Sequence, residues 1–410
     1  MITGTAGCGL DYAIKKSGSS VGYCALSIRC GTRDEEGFHS GIAHFTEHTI
    51  FKGTEHKSAS VINSYLDRLG GELNAYTTKE EIVFHATVLK EDLSKAAGLL
   101  FELATEATFP EKEIATEKGV VIDEIQSYKD SPADDVYDRF EEALFAGHPL
   151  GGAILGTASS VKKITSDELK RFVAQNFTPD RMAFTVVADF DEAKMEKALL
   201  KLISRHFPQQ SCTRGEVNAG SSAVPQNRFD KVVDKRNHEV NAVIGGFAPS
   251  LYESKDRITA VLLANILGGP ASNSILNDIL REKNGWVYGV ECGYTQYRDS
   301  GIMAISLGCD KENLEKCFKA VRKAIEELQV KPLSDRRLKA AKKQLLGQLA
   351  ISSESGESQC LSMGKSLLAY RRVATDEENK AAIESVSAED ILEMTKRIFD
   401  RDNLSRLVFL

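Results

Sequence analysis

The sequence contains no run of about 18 apolar residues, so no segment reads as a helix able to cross a membrane. Its start, Met1-Ile-Thr-Gly-Thr-Ala-Gly-Cys8, lacks the basic stretch and apolar run of a secretion leader, and the expected location is cytoplasmic. There is no C-x-x-C pair. The cysteines at 8, 24, 30, 212, 292, 309, 317 and 360 are scattered, which argues against a disulfide framework and predicts reduced, mostly buried thiols. Positive charge is not in excess: the formal net charge is −7, with no basic stripe, so neither nucleic acid nor an anionic membrane surface is an expected partner. Gly268-Gly269-Pro270 lacks the spacing of a phosphate-binding loop.

What is present fits an ordinary globular protein. Hydrophobic residues make up 42% and charged residues 27%, enough apolar chain for more than one core. At about 150 residues per domain, 410 residues suggest two or three domains. Val21–Arg29 reads as a strand, Gly41–Lys52 and Ser58–Leu69 as helices, and Asn74–Thr78 and Ile82–Leu89 as strands. Asp92–Ala107 and a segment from Pro110 to about Tyr128 read as helices; Met182–Phe190 and Asp191–Arg205 read as a strand and a helix.

Between Pro208 and Asn227 the chain becomes rich in Pro, Gly, Ser, Gln and Asn, the composition of a linker. The pattern then restarts. Val240–Phe247 matches the opening strand, Ile258–Leu267 the first helix, Gly301–Leu307 the strand Ile82–Leu89, and Pro332–Leu349 the helix after Pro110. A period of roughly 220 residues indicates a duplicated domain, not a solenoid. The expected fold is therefore α+β: two homologous domains, 1–207 and 230–410, joined by a linker at 208–229, each a mostly antiparallel sheet covered by helices.

The most informative stretch is His44-Phe45-Thr46-Glu47-His48. On a helix, residues four apart share a face, so both imidazoles point the same way. Two imidazoles are two of the three protein ligands of a catalytic zinc site, and Glu47 beside them can take a proton from water. The run is the inverted form of H-E-x-x-H. Glu117 and Glu124 are seven residues apart on one predicted helix, hence on one face, and such a helix can complete a His2Glu set with one position left for water. In the second copy the motif meets Ala264-Asn-Ile-Leu-Gly268, and Glu124 meets Gln344 to Gln348, with no His or acid in the motif's place. Packing alone gives no reason to keep them in one copy only, so their presence in one favours a site.

These residues resemble the pitrilysin/insulinase family of zinc peptidases, in particular the short-chain branch that includes mitochondrial processing peptidase. The likeness rests on H-x-x-E-H followed by Glu124, 76 residues after His48, with Glu117 seven before it. It extends to Phe51-Lys52-Gly53-Thr54, Gly70-Gly71 leading to Asn74-Ala75-Tyr76-Thr77, His148-Pro149-Leu150-Gly151 with Ile154-Leu155-Gly156-Thr157, and Leu280-Arg281-Glu282-Lys283 with Tyr288-Gly289. It covers the chain from about Val21 to Leu410.

The resemblance implies that His44, His48 and Glu124 bind one zinc ion per chain, that Glu47 is the general base, and that Glu117 supports the site. It implies that Asn74, Ala75, Tyr76 and Thr77, with Phe45, bind substrate, and that Arg281 and Tyr288 assist catalysis. The implied activity is endopeptidase cleavage of peptides or unfolded segments inside a dimeric clamshell. A homodimer is the simpler expectation and a heterodimer with an inactive paralogue the other. The alternative function is a noncatalytic or substrate-holding subunit of a hetero-oligomeric processing peptidase or a respiratory core complex.

Overall fold

A computed structural model describes residues 1–208, 224 and 227–410; most of the expected linker lies outside the described residues. The strands form two sheets. The first contains β1 (Ile2–Thr5), β2 (Asp11–Lys16), β3 (Val21–Ile28), β4 (Glu72–Thr77), β5 (Ile82–Leu89) and β6 (Met182–Ala188), in the order β1-β2-β6-β3-β5-β4. The second contains β7 (Asp230–Val233), β8 (Val240–Ala248), β9 (Val287–Gln296), β10 (Gly301–Cys309) and β11 (Ser405–Phe409), in the order β7-β11-β8-β10-β9. Strands 2-6-3-5-4 of one sheet and 7-11-8-10-9 of the other trace the same path. Each sheet has one parallel pair, β2 with β6 and β7 with β11, and is otherwise antiparallel. The duplicated α+β architecture is thus present at the level of strand order.

The expected contiguous division at the linker does not describe how the chain packs. The first compact unit comprises Met1–Gln126, the stretch from Gly152 to the linker, and Ile351–Ala374; the second comprises Ser127–Gly151, the stretch from the linker to Ala350, and Thr375–Leu410. The cause lies in the strands. Every residue of β6 is buried, so it needs apolar cover on both faces. One face packs against the helices Ile42–Ile50 and Leu93–Glu106 through Ile42, Phe45, Leu100, Phe84 and Phe184. The other packs Ala13, Ala25, Val83, Ala183 and Val187 against Cys360, Met363 and Leu367 of the helix Gly356–Tyr370. The second sheet is covered in the same way by the helix Pro132–Leu144, whose Val136, Phe140 and Leu144 meet Val243, Ala304, Leu407 and Phe409. Each unit thus closes with a helix from the other half of the sequence.

The expected helix Ser58–Leu69 is shorter than its apolar spacing suggests. Only Ala59–Asn63 is α-helical, and a single 3-10 turn covers Asp67–Leu69. The Ser64 hydroxyl donates to the Ser60 carbonyl at the break, and Gly70, at φ 67°, turns the chain into β4. Cysteines 8, 24, 30, 292, 309, 317 and 360 are free and buried; Cys212 lies outside the described residues.

Candidate metal centre

The helix Ile42–Ile50 carries the H-x-x-E-H run. It starts at Gly41, whose φ of 88° suits glycine and whose α-carbon passes so close to Leu155 that a Cβ would lie 2.7 Å from that carbonyl oxygen. The Glu35 carboxylate accepts from the Gly41 and Ala43 N–H groups at 2.9 and 3.0 Å, satisfying donors that the first helical turn leaves open. Burial pushes the Glu35 carboxyl up to about 8, against the pull of those N–H groups and Lys79. Ile42, Phe45, Thr46, Thr49 and Ile50 are buried. The Thr46 and Thr49 hydroxyls donate to the Ile42 and Phe45 carbonyls, so these polar groups are partnered inside the helix. Phe45 is wholly buried in the apolar core. This corrects the expectation that it binds substrate: next to His44 in sequence, it projects about 100° away round the helix.

The two histidines share the remaining face, their rings 4.6 Å apart. Opposite lies the helix Glu111–Lys129, which buries Ile114, Glu117, Val121 and Ile125. Glu117 therefore occupies a place in an otherwise apolar stripe. Glu124 Oε2 lies 3.3 Å from His48 Nε2 and 3.7 Å from His44 Nε2. One ligand atom from each of His44, His48 and Glu124 falls within 4.8 Å of the others. His48 Nδ1 is 3.0 Å from Glu117 Oε1, and Lys52 Nζ is 2.7 Å from Glu117 Oε2. The Thr77 hydroxyl, on β4, donates to Glu47 Oε2 at 2.7 Å. That bond ties the strand expected to hold substrate to the expected base, a link that sequence spacing does not reveal.

The electrostatics suit a cation. Burial, then the nearness of His48, lowers His44 to about 3, so it stays neutral with a lone pair to offer at neutral pH. Burial would lower His48 too, but Glu117, Glu47 and Glu124 outweigh it and the net direction is up. Glu47 is raised by burial, opposed by Thr77 and His48. Burial alone would raise Glu117; His48 and Lys52 more than offset it and hold it below the usual carboxylate range. Two buried polar atoms, His44 Nδ1 and Glu124 Oε2, have no hydrogen-bond partner among the described residues. A buried carboxylate oxygen without a donor, set between two imidazole nitrogens, fits a divalent ion: two imidazoles and one carboxylate make a three-ligand set that leaves a position open.

Asn74, Ala75, Tyr76 and Thr77 lie on β4, at the sheet edge, paired among the described residues to β5 on one side only. Arg281 and Tyr288 lie in the second unit, in the helical turn Asn277–Lys283 and on β9. Tyr288 is 62% exposed, and its hydroxyl donates to Asp310 at 2.8 Å. In that unit the helix Ser254–Gly268 follows β8 as the motif helix follows β3, and the Asn265 amide donates to Gln348 Oε1 at 2.7 Å. At the positions of His44 and His48 the second copy has Ala264 and Gly268, so no imidazole is presented there.

Two family profiles match the chain: residues 12–158 match the insulinase domain of peptidase family M16, and residues 163–345 the M16 inactive domain. An uncharacterized zinc protease of Bacillus subtilis, YmxG, is 30% identical over 386 residues, spanning 93% of this chain and 91% of its own. An uncharacterized zinc protease of Rickettsia bellii is 29% identical over 384 residues, covering 93% and 91%. Among solved structures, an M16 inactive-domain protein of Pseudomonas fluorescens superposes with a TM-score of 0.89 at 20% identity, covering all of this chain and 97% of the other. A protease of Helicobacter pylori gives 0.87 at 20% identity, covering 100% and 98%.

Proposed function

The chain belongs to the insulinase (M16) family of peptidases, and we propose that it is a zinc endopeptidase acting on peptides or unfolded segments. The observation that carries this is the convergence of His44, His48 and Glu124, with Glu47 alongside and anchored by Thr77. His44, His48 and Glu124 would hold the ion. When bound, zinc supplies Lewis acidity, bringing the pKa of water towards about 7 and polarising a carbonyl.

The remaining work falls to the chain's own groups. The free edge of β4, from Asn74 to Thr77, holds a substrate in extended form by main-chain hydrogen bonds, which makes recognition tolerant of side-chain identity. Glu47 takes the proton from the attacking water and returns it to the leaving amine. Thr77 fixes one oxygen of that carboxylate and leaves the other for the proton. Glu117 accepts from His48 Nδ1–H and so turns Nε2 towards Glu124, where it would meet the ion.

The active form in this reading is a homodimer enclosing a chamber, in which Arg281 and Tyr288 of one copy serve the zinc site of the other. Tyr288 would exchange its bond to Asp310 for one to the developing oxyanion, and Arg281 would hold a substrate carbonyl. A chamber would exclude folded proteins by size and admit flexible chains. Elemental analysis combined with cleavage of a quenched unstructured peptide, with and without a chelator, tests the reading. One zinc per chain and chelator-sensitive cleavage are expected; chelator-resistant turnover would refute it. Full activity from a species that sediments as a monomer would remove the dimer.

A further inference from the structure

The metal ligands belong to a longer register than the five-residue motif. His44, His48 and Lys52 recur every four residues, and the facing helix presents Glu117 and Glu124 at a spacing of seven. The two rows mesh. Glu124 faces His44 and His48 at 3.7 and 3.3 Å, and Glu117 faces His48 and Lys52 at 3.0 and 2.7 Å. Lys52 follows the helix end by two residues, and the Lys52 N–H to Thr49 carbonyl bond of 3.0 Å keeps it in the same winding. The Lys52 and Glu117 side chains are 22% and 9% exposed, so their ion pair is largely out of water.

We propose that Lys52 is a positioning residue for the metal centre, acting on His48 through Glu117; the proposal rests on the zinc reading above. The carboxylate of Glu117 has two ends. Lys52 Nζ occupies Oε2, and that fixes the plane in which Oε1 meets His48 Nδ1. A carboxylate held at one oxygen only can rotate about its last bond; held at both, it cannot. An imidazole whose Nδ1–H has a fixed acceptor presents its Nε2 lone pair in a fixed direction. His44 has no such support, since its Nδ1 is buried without a partner among the described residues. The centre is therefore asymmetric: one histidine is braced by a buried ion pair and the other is placed by packing. Pinning the braced histidine is the task left to Lys52.

The test measures zinc binding by chelator competition and zinc release in stopped flow on the full chain, with melting of the metal-free protein as a check on folding. Lys52→Met keeps the length of the side chain and removes its charge. It should weaken zinc binding 10- to 100-fold, the usual cost of losing a group behind a metal ligand, and speed release correspondingly. Lys52→Arg should stay within about threefold of the parent, the conservative rescue that a packing role would not predict. In a Glu117→Gln background, Lys52→Met should add less than about twofold, because the path through Glu117 is already broken. Unchanged zinc affinity and release in Lys52→Met, or an equal loss in both backgrounds, overturns the proposal. If His48→Ala sheds zinc while Lys52→Met does not, only the role of Lys52 falls. If His48→Ala keeps stoichiometric zinc, the ligand assignment falls and takes this inference with it.

Discussion

The two sheets follow one path, yet the helices that cover them end in opposite chemistry. In the first unit the helix Ile42–Ile50 offers two imidazoles to Glu124 across a gap suited to an ion. In the second, the helix Ser254–Gly268 offers Asn265 directly to Gln348 at 2.7 Å. An amide pair closes on itself, donor to acceptor, and needs nothing between its members. Two imidazoles and a carboxylate with an unpartnered oxygen do not. The second unit keeps the strand order with Ala264 and Gly268 at the histidine positions, so the histidines and acids of the first unit are not what the architecture requires.

The starts of the two helices differ as well. Glu35 is pushed up to about 8, mainly by burial. Glu253, at the start of the counterpart helix, also meets a burial penalty, but the Ser250 N–H and Arg397 outweigh it and the net direction is down.

The sharpest way to break the contrast is to remove a ligand. His48→Ala should abolish zinc binding and peptide cleavage together, as elemental analysis and a peptide assay would show. Glu47→Gln comes next: zinc stays bound, while kcat should fall by about a thousandfold or more, since only the proton carrier is lost. Near-normal turnover would remove Glu47 as base. Thr77→Val frees the Glu47 carboxylate without touching a ligand; a loss of about tenfold in kcat at constant zinc content is expected.

The helix starts give opposite pH responses. Because Glu35 is raised in the folded state, the folded protein holds its proton more tightly than the unfolded chain. Its contribution to stability is complete below about 4.5 and is lost as pH rises towards about 8, with a slope approaching about 1.4 kcal/mol per pH unit. Glu253 runs the other way, contributing above its unfolded value and losing that contribution as pH falls. Melting of Glu35→Gln across pH 5 to 8 should be flatter than that of the parent; an identical profile would show that Glu35 is not strained by burial. The smallest effect belongs to the second unit. Asn265→Ala should cost about 1 kcal/mol, read from denaturant unfolding, and leave zinc content unchanged.

Much of the centre was legible because its spacings are local. His44, His48, Glu117 and Glu124 each sit on a continuous helix, and helical periodicity assigns their faces, while the resemblance to the zinc peptidases joins Glu124 to the histidines. Strand Ile82–Leu89 was equally plain, as a β-prone run between two turns. Three features lay beyond such reasoning. The Thr77–Glu47 bond joins a strand to a helix, and no periodicity encodes which residues of different elements meet. The burial of Phe45 shows the risk of taking motif membership for site membership: the motif fixes a stretch of chain, whereas the helix divides that stretch between core and cleft. The exchange of the helices Pro132–Leu144 and Gly356–Tyr370 was also hidden. An amphipathic pattern says which face of a helix seeks cover but not which sheet supplies it.

That exchange has a bearing on how the protein is made. The outer face of the first sheet, with Ala25, Val83, Ala183 and Val187, waits for Met363 and Leu367. Those residues leave the ribosome only after most of the second half has been synthesised. A nascent chain thus carries the metal-binding half with one flank bare until most of the second half is made, a natural point for a chaperone to engage, and cutting the gene at the linker would give two halves that each lack a wall.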